Sequence, residues 1–226
     1  MYLAFLNLPR EVRQGRENVL LVGVIPDMKS EPKTNTFLKP LVQELKQTWG
    51  DVFLLLYSHK SHNTLKCFKL ALICVGCDIP ASRKVCGFLG HSATSGCNKC
   101  KKKFPGSVGE KNYGGFDPSE WIPRDNQSHR EECNEILMCT CKGDQEKLER
   151  QFGTRYSSLL ELVYFDPVRM TPIDPMHNLF LGTAEHMITV WKTKKLLFDD
   201  DFKKIQSRVE PFICPSDIGR LPNKFS

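Results

Sequence analysis

The chain has 226 residues, of which 40% are hydrophobic and 26% are charged, as in one large globular domain or two small ones. It contains no apolar run of about 18 residues, which excludes a membrane-spanning helix, and its N-terminal stretch lacks the features of a signal peptide. Ten cysteines without such a signal favour metal binding and buried thiols over a disulfide framework. The net charge is +6 and is unevenly distributed.

The first 90 residues predict an α/β arrangement. Residues 18–26 and 51–57 are apolar runs typical of buried strands, and residues 34–50 between them have the apolar spacing of a helix. Residues 65–77 predict a longer strand, which leads to Asp78 and then to a short helix. Strands that alternate with helices in this order favour an α/β sheet.

The character of the sequence changes after residue 90. Residues 91–165 are rich in cysteine, lysine and polar turns, and predict an inserted lobe with little core of its own. Residues 145–165 nevertheless have a helical pattern. Residues 166–226 begin as a proline-broken loop and become an amphipathic helix from about Met176. We therefore divide the chain into residues 1–90, 91–165 and 166–226.

Asp78 lies just past the end of an apolar run, where α/β sheets gather their active-site residues. A carboxylate at this place could bind a metal ion. The alternative is structural, because an aspartate before a helix also caps the unpaired backbone N–H groups of its first turn. The sequence leaves both roles open.

Cys97 and Cys100 form a Cys-x-x-Cys pair in a lysine-rich loop. Two thiolates at this spacing can share one zinc ion, whereas a redox pair would be expected at a helix start. The pair supplies half of a tetrahedral site. The further ligands that we consider first are His91, His129 and Cys133. Bound zinc would stabilise a lobe that has few core residues.

Two further groups are candidates. Asp174 and His177 lie three residues apart at a helix start, where a helix cap is the simpler explanation. A group of cations surrounds the cysteine pair and could bind DNA phosphates, although such a run is often only a solvated surface. The cations are Arg83, Lys84, Lys99, Lys101, Lys102 and Lys103.

Three segments together resemble one family. "LNLPREVRQGRENVLLVGVIP", "CDIPASRKVCGFLGH" followed by "GCNKCKKKF", and "MTPIDPMHNLFLGTAEHM" resemble, in the same order, segments of the CACTA (En/Spm, Tnp2-type) DNA transposases of animal genomes. The resemblance extends along nearly the whole chain, and the lysine-rich insertion is its least distinctive part.

The resemblance implies an RNase H-like core in which three acidic residues hold two Mg²⁺ or Mn²⁺ ions for DNA strand cleavage and transfer. By this match Asp78 is the second acid, Cys97 and Cys100 are the first half of a zinc site, and Asp174 and His177 belong to a segment of uncertain role. It also implies a nuclear protein whose ancestral partner is the DNA of transposon ends. An oligomer has no support from the sequence.

The sequence departs from the family pattern at both ends. The first and third catalytic acids, and a His-x-x-x-His that would complete the zinc site, have no counterpart in residues 1–226. We therefore expect an incomplete RNase H-like core with an inserted zinc-binding lobe, inactive as this fragment. One alternative is a zinc- and DNA-binding or protein-interaction module without catalysis. Another is an intact enzyme of which this chain is an internal piece, so enzymatic activity stays open.

Overall fold

The computed structural model describes residues 1–26, 33–50, 52–58, 61–107, 110–114 and 117–213. The chain divides into two compact units, Met1–Ile173 and Asp174–Ser226. The boundaries predicted at residues 90 and 165 both lie inside the first unit. The described residues combine helices with a small amount of β-structure, a mixed composition that is compatible with the predicted α/β class.

The described part of the chain contains two antiparallel two-stranded sheets, besides isolated bridges. Strand β1 (Tyr2–Ala4) pairs with β2 (Val19–Leu21), and the short helix α1 (Arg10–Arg13) lies between them in sequence. Strand β3 (Val52–Ser58) pairs with β4 (Ser61–Phe68), so that Val52 lies opposite Phe68. The strand predicted over 51–57 is therefore confirmed, and the one over 18–26 is shorter than predicted.

The strand predicted over residues 65–77 is wrong in its second half. Strand β4 ends at Phe68, and the apolar run that follows is not part of a ladder. Single hydrogen bonds hold it instead: the N–H groups of Leu70, Leu72 and Val75 donate to Thr48 O, Tyr164 Oη and Met170 O, at 3.0, 3.1 and 2.8 Å. A run of apolar residues becomes a strand only where a neighbouring strand supplies matching backbone groups.

The core of the first unit lies beneath helix α2 (Thr34–Trp49). Leu38, Val42 and Leu45 are spaced four and three residues apart, so they share one face of the helix, and all three are buried. This face packs in one cluster with the end of helix α3 (Ile79–Cys86), with Phe88 and with apolar residues of the segment 159–168. The predicted helices 34–50 and after Asp78 are both confirmed.

Two further helices, α4 (Asn126–Met138) and α5 (Lys142–Phe152), lie inside the predicted insertion. The helical pattern over 145–165 is confirmed only for its first part, because α5 ends at Gly153 with a φ of +70°. A side chain there would place its Cβ 1.9 Å from Ser95 O. A single 3₁₀ turn, Ser158–Glu161, follows.

Gly87 ends α3 in the same left-handed conformation, with a φ of +84°. The chain segments after the two glycines then pair: Leu89 N–H donates to Gly153 O at 2.9 Å, and Arg155 N–H donates to Gly87 O at 3.0 Å. These bonds attach the predicted insertion to the rest of the first unit.

The second unit is helical where it is described. A π-helical segment (Met176–Ala184) continues into α6 (Glu185–Thr193), and α7 (Asp199–Val209) follows. The helix predicted from Met176 is confirmed. Many of its apolar side chains are exposed, among them Leu179, Phe180, Leu181, Met187 and Trp191. No helix in the described ranges is long and apolar enough to cross a membrane.

Candidate functional site

The two cysteines of the Cys-x-x-Cys pair lie side by side in a tight turn. The backbone N–H of Lys99 donates to Cys97 Sγ at 3.3 Å, the backbone of Lys102 makes the corresponding bond to Cys100, and the two thiols are hydrogen-bonded to each other. Both side chains are half-buried. Burial raises the pKa of the Cys100 thiol. Backbone N–H groups aimed at sulfur stabilise the thiolate, which is the form that binds metal.

Cations surround this pair. Lys99 Nζ donates to Val168 O and Thr171 O, both at 2.5 Å, and its charge and that of Arg83 act on Cys97. Arg124 Nε donates to Cys97 O at 2.8 Å, and its charge acts on both sulfurs. At Cys100 burial outweighs the nearby positive charge, so its pKa is still raised. The pair offers two sulfur donors, whereas a structural zinc site uses four ligands.

The other predicted zinc ligands are not assembled around the pair. His129 and Cys133 are buried on α4, where Cys133 Sγ donates to Arg155 O at 3.4 Å. His91 is exposed, and its backbone lies against Gly96. The described residues contain no group of three or more histidine, cysteine, aspartate or glutamate side chains that could hold a metal ion.

His129 is instead part of the interior. Its ring packs on Phe88 with centroids 4.6 Å apart, and among the described residues neither ring nitrogen has a hydrogen-bond partner. Burial, helped by the charges of Arg124 and Arg130, lowers the pKa of His129 to about 3. The imidazole is therefore neutral at physiological pH. A buried polar group without a partner costs stability.

Several of the predicted phosphate-binding cations make contacts within the protein. Lys99 bonds two carbonyl groups, as described above, and Lys101 Nζ lies 3.0 Å from Glu132 Oε1. Lys102 is only 4% exposed, with its Nζ 5.8 and 5.6 Å from the ring centroids of Phe104 and Trp121. Lys103 is exposed, and Lys84 and Arg83 are half-buried on α3. Some of these cations therefore help to pack the protein, and others form a charged surface.

Arg124 is the residue that the sequence analysis missed. Its guanidinium is buried, and besides Cys97 O it donates to Ser95 O at 2.9 Å, Phe152 O at 2.5 Å and Thr154 Oγ1 at 3.2 Å. It also pairs with Glu132 Oε2 at 3.4 Å. One side chain thus ties the cysteine loop to α4 and to the end of α5. Nothing in the sequence around an isolated Arg-Asp pair signals this role.

Asp78 caps helix α3. Its Oδ1 accepts a hydrogen bond from Ala81 N–H at 2.7 Å, and Pro80 occupies the first turn. The structural alternative is therefore realised, and the side chain is exposed. Because the described residues hold no group of acidic side chains around Asp78, they do not fit a pair of Mg²⁺ ions, and we derive no chemistry through such ions.

Two substitutions separate the roles of Asp78. We expect Asp78→Ala to lower the free energy of unfolding by about 1 kcal/mol, because the N–H groups of the first turn of α3 lose their cap. Asp78→Asn should be nearly neutral, since asparagine caps equally well while removing the carboxylate. Urea unfolding of both variants measures the difference. Equal stability of Asp78→Ala and the unmodified protein would contradict the capping role.

Asp174 and His177 also form a cap, in the second unit. Asp174 Oδ1 accepts from Met176 N–H at 2.9 Å, and Asp174 Oδ2 lies 2.6 Å from His177 Nδ1. The hydrogen bond with His177 lowers the pKa of the Asp174 carboxyl. The carboxylate fixes the orientation of an exposed imidazole whose other nitrogen, Nε2, is not used in this bond. Asp174 and His177 are therefore brought together as predicted, as a pair that initiates the π-helical segment.

Comparison of the chain with protein-family models, with curated proteins and with solved structures finds no match.

Proposed function

We propose that the chain is a transposase-derived DNA-binding module, related to the CACTA family and without strand-cleaving activity of its own. The proposal includes an incomplete RNase H-like core, a zinc-binding turn at Cys97 and Cys100, and a nuclear location where DNA is the partner. Its support from sequence is the ordered set of three family-like segments. Its physical support is the charge distribution of the first unit.

The charge distribution is the observation that carries the proposal. Residues 79–114 contain seven lysines and arginines and one acidic residue, Glu110, a surplus equal to the net charge of +6 of the whole chain. The remainder of the chain is thus electrically balanced. A localised basic surface attracts the phosphate backbone of DNA, releases its counterions and binds without reading its sequence.

Two lysines within residues 79–114 are accessible enough to contact a DNA backbone directly. Lys103 is exposed, and Lys84 lies on the half-exposed side of α3. Lys99 and Lys102 have their ammonium groups turned into the protein, so they contribute to the local field rather than to direct contacts. We assign direct phosphate contacts to Lys103, which is exposed, and to Lys84, which is half-exposed.

The module has no strand-cleaving chemistry assigned to it. Asp78 caps α3, and a phosphodiester reaction with two metal ions needs more than one carboxylate. Cleavage and strand transfer belong to the parent enzyme. In a longer product that supplies further acids, Asp78→Asn would abolish magnesium-dependent nicking while preserving the cap.

DNA binding is tested with a fluorescent duplex and the full chain at increasing salt. We expect the double variant Lys84→Ala, Lys103→Ala to bind more weakly and to reduce the slope of log K against log salt by about 2, since each phosphate contact contributes roughly 0.9 to that slope. The matched control is Lys142→Ala with Lys147→Ala, which removes two exposed lysines from α5. Absence of binding at low salt, or an equal loss in the control, would refute the proposal.

A further inference from the structure

We propose that the exposed rings of Tyr113 and Trp121 stack on unpaired bases of single-stranded DNA. The inference deepens the proposed DNA binding and rests on it, because it names the form of DNA that the basic surface near Lys103 takes. Proteins that bind single strands combine a positively charged surface, which follows the phosphates, with aromatic rings on which successive bases stack. This chain has both components in one part of its first unit.

The rings of Phe104, Tyr113 and Trp121 form an aromatic cluster around a buried lysine. Phe104 and Tyr113 contact each other, with ring centroids 5.1 Å apart and an interplanar angle of 57°. Lys102 Nζ lies over both the Phe104 and the Trp121 ring, at 5.8 and 5.6 Å from their centroids. Phe104 is half-buried, whereas Tyr113 is 50% exposed and Trp121 is 44% exposed. Two large rings of the cluster therefore present surface on which a base can stack.

The segment that carries Trp121 runs antiparallel to the lysine-rich stretch. Lys101 N–H donates to Ile122 O at 2.8 Å, and Arg124 N–H donates to Lys99 O at 2.9 Å. The buried guanidinium of Arg124 attaches this pair of segments to the rest of the first unit. Because the backbone beside the ring is already held in place, little conformational freedom is lost when a base stacks on it.

The charge around the cluster favours a nucleic acid as its occupant. Lys103 is exposed and directly precedes Phe104, and residues 99–124 contain six lysines and arginines against three acidic residues. Positive charge attracts the phosphates, and the rings then meet whatever is attached to them. In a duplex each base is already stacked on its neighbours and paired, so its face is not available. Unpaired bases can leave the stack and lie on an aromatic ring, which selects single-stranded DNA.

The test compares two fluorescent single strands of roughly 12 nucleotides, one of thymidine and one of abasic units, which carry equal numbers of phosphates. We expect the full chain to bind the thymidine strand about 10-fold more tightly than the abasic strand, because only the former can stack. The tryptophan fluorescence of the chain should fall when an unlabelled thymidine strand is added, and Trp121→Phe should remove that change.

The double variant Tyr113→Ala, Trp121→Ala should lose about 10-fold in affinity for the thymidine strand. Its affinity for the abasic strand, and the slope of log K against log salt, should stay unchanged because no phosphate contact is removed. The matched control is Trp191→Ala, which removes a tryptophan that is 37% exposed in the second unit and should leave every affinity as it was.

Equal affinity of the unmodified chain for the two strands would overturn the inference and would leave the aromatic cluster as a surface for a protein partner. This comparison uses no variant, so it decides the question even if the double variant does not fold. Binding of a duplex with the expected salt dependence would in that case leave the proposed DNA-binding function intact. Absence of duplex binding, by contrast, would refute the proposed function itself.

Discussion

Replacing Arg124 by alanine is expected to lower the free energy of unfolding by about 3–5 kcal/mol, the usual loss when one partner of a buried ion pair is removed. The guanidinium bonds the carbonyl groups of Ser95, Cys97 and Phe152, together with Thr154 and Glu132. Without it the three carbonyl groups lose this donor inside the protein, while Glu132 keeps its contacts with Lys101 and Thr154. Urea unfolding, followed by circular dichroism, measures the change.

The variant Arg124→Lys should not restore stability. A single ammonium group cannot reach all the acceptors that the planar guanidinium bonds through its separate nitrogens. Arg169→Ala is the matched control. The Arg169 side chain is 89% exposed, and its Nε lies 3.9 Å from Asp166 Oδ2, a long ion pair. We expect that variant to lie within about 0.5 kcal/mol of the unmodified protein. A small effect of Arg124→Ala, or a full rescue by lysine, would show that the network does not hold the loop.

His129 should make the first unit sensitive to mild acid. Its folded pKa of about 3 lies below the ordinary histidine value of about 6.5, so between these values the unfolded chain binds a proton that the folded chain does not. Stability is then complete above pH 6.5 and falls as the pH is lowered. Between pH 7 and pH 5 the loss from this one group is about 2 kcal/mol.

The variant His129→Leu should remove this acid-dependent loss, because leucine has no proton to bind and fills a similar volume. At pH 7 it should be at least as stable as the unmodified protein, since two unpartnered ring nitrogens leave the interior. His91→Ala, which removes an exposed histidine, should retain the full pH dependence. Unfolding by urea at pH 7, 6 and 5 compares the three proteins. Parallel curves for all three would refute the role assigned to His129.

Helices that are specified by a local sequence pattern were predicted correctly. Leu38, Val42 and Leu45 repeat with the helical period, and the Asp78-Ile-Pro start of α3 combines a capping residue with proline in the first turn, so both helices were predictable. Helix α4 was not predicted, although His129, Cys133 and Ile136 are buried at spacings of four and three residues. Two of these residues are not aliphatic, which hid the pattern.

The sequence did not indicate which distant segments pair as strands. The apolar residues that precede Asp78 have the composition of a strand, yet the polar stretch beginning at Ser61 forms β4 because it lies opposite β3. Which strands meet is decided by tertiary contacts rather than by propensity.

The candidate site was predictable in its residues and not in their contacts. The Cys97–Cys100 spacing indicated the turn that the structure contains, and the Asp174–His177 spacing indicated a helix cap. The lysines that follow Cys97 look alike in the sequence, but Lys99 reaches Val168 O, Lys101 pairs with Glu132 and Lys102 lies between two aromatic rings. Those partners lie far away along the chain, so only the folded protein distinguishes one lysine from the next.

Gly87 and Gly153 limit the substitutions that the chain can accept. At each position a Cβ would approach a backbone oxygen too closely, 2.6 Å from Arg155 O and 1.9 Å from Ser95 O, in a conformation that side chains rarely adopt. Every codon change that replaces either glycine therefore damages the junction of α3 and α5. These two positions should therefore accept fewer replacements than the exposed charged positions of α3 and α5, although neither glycine carries a functional group.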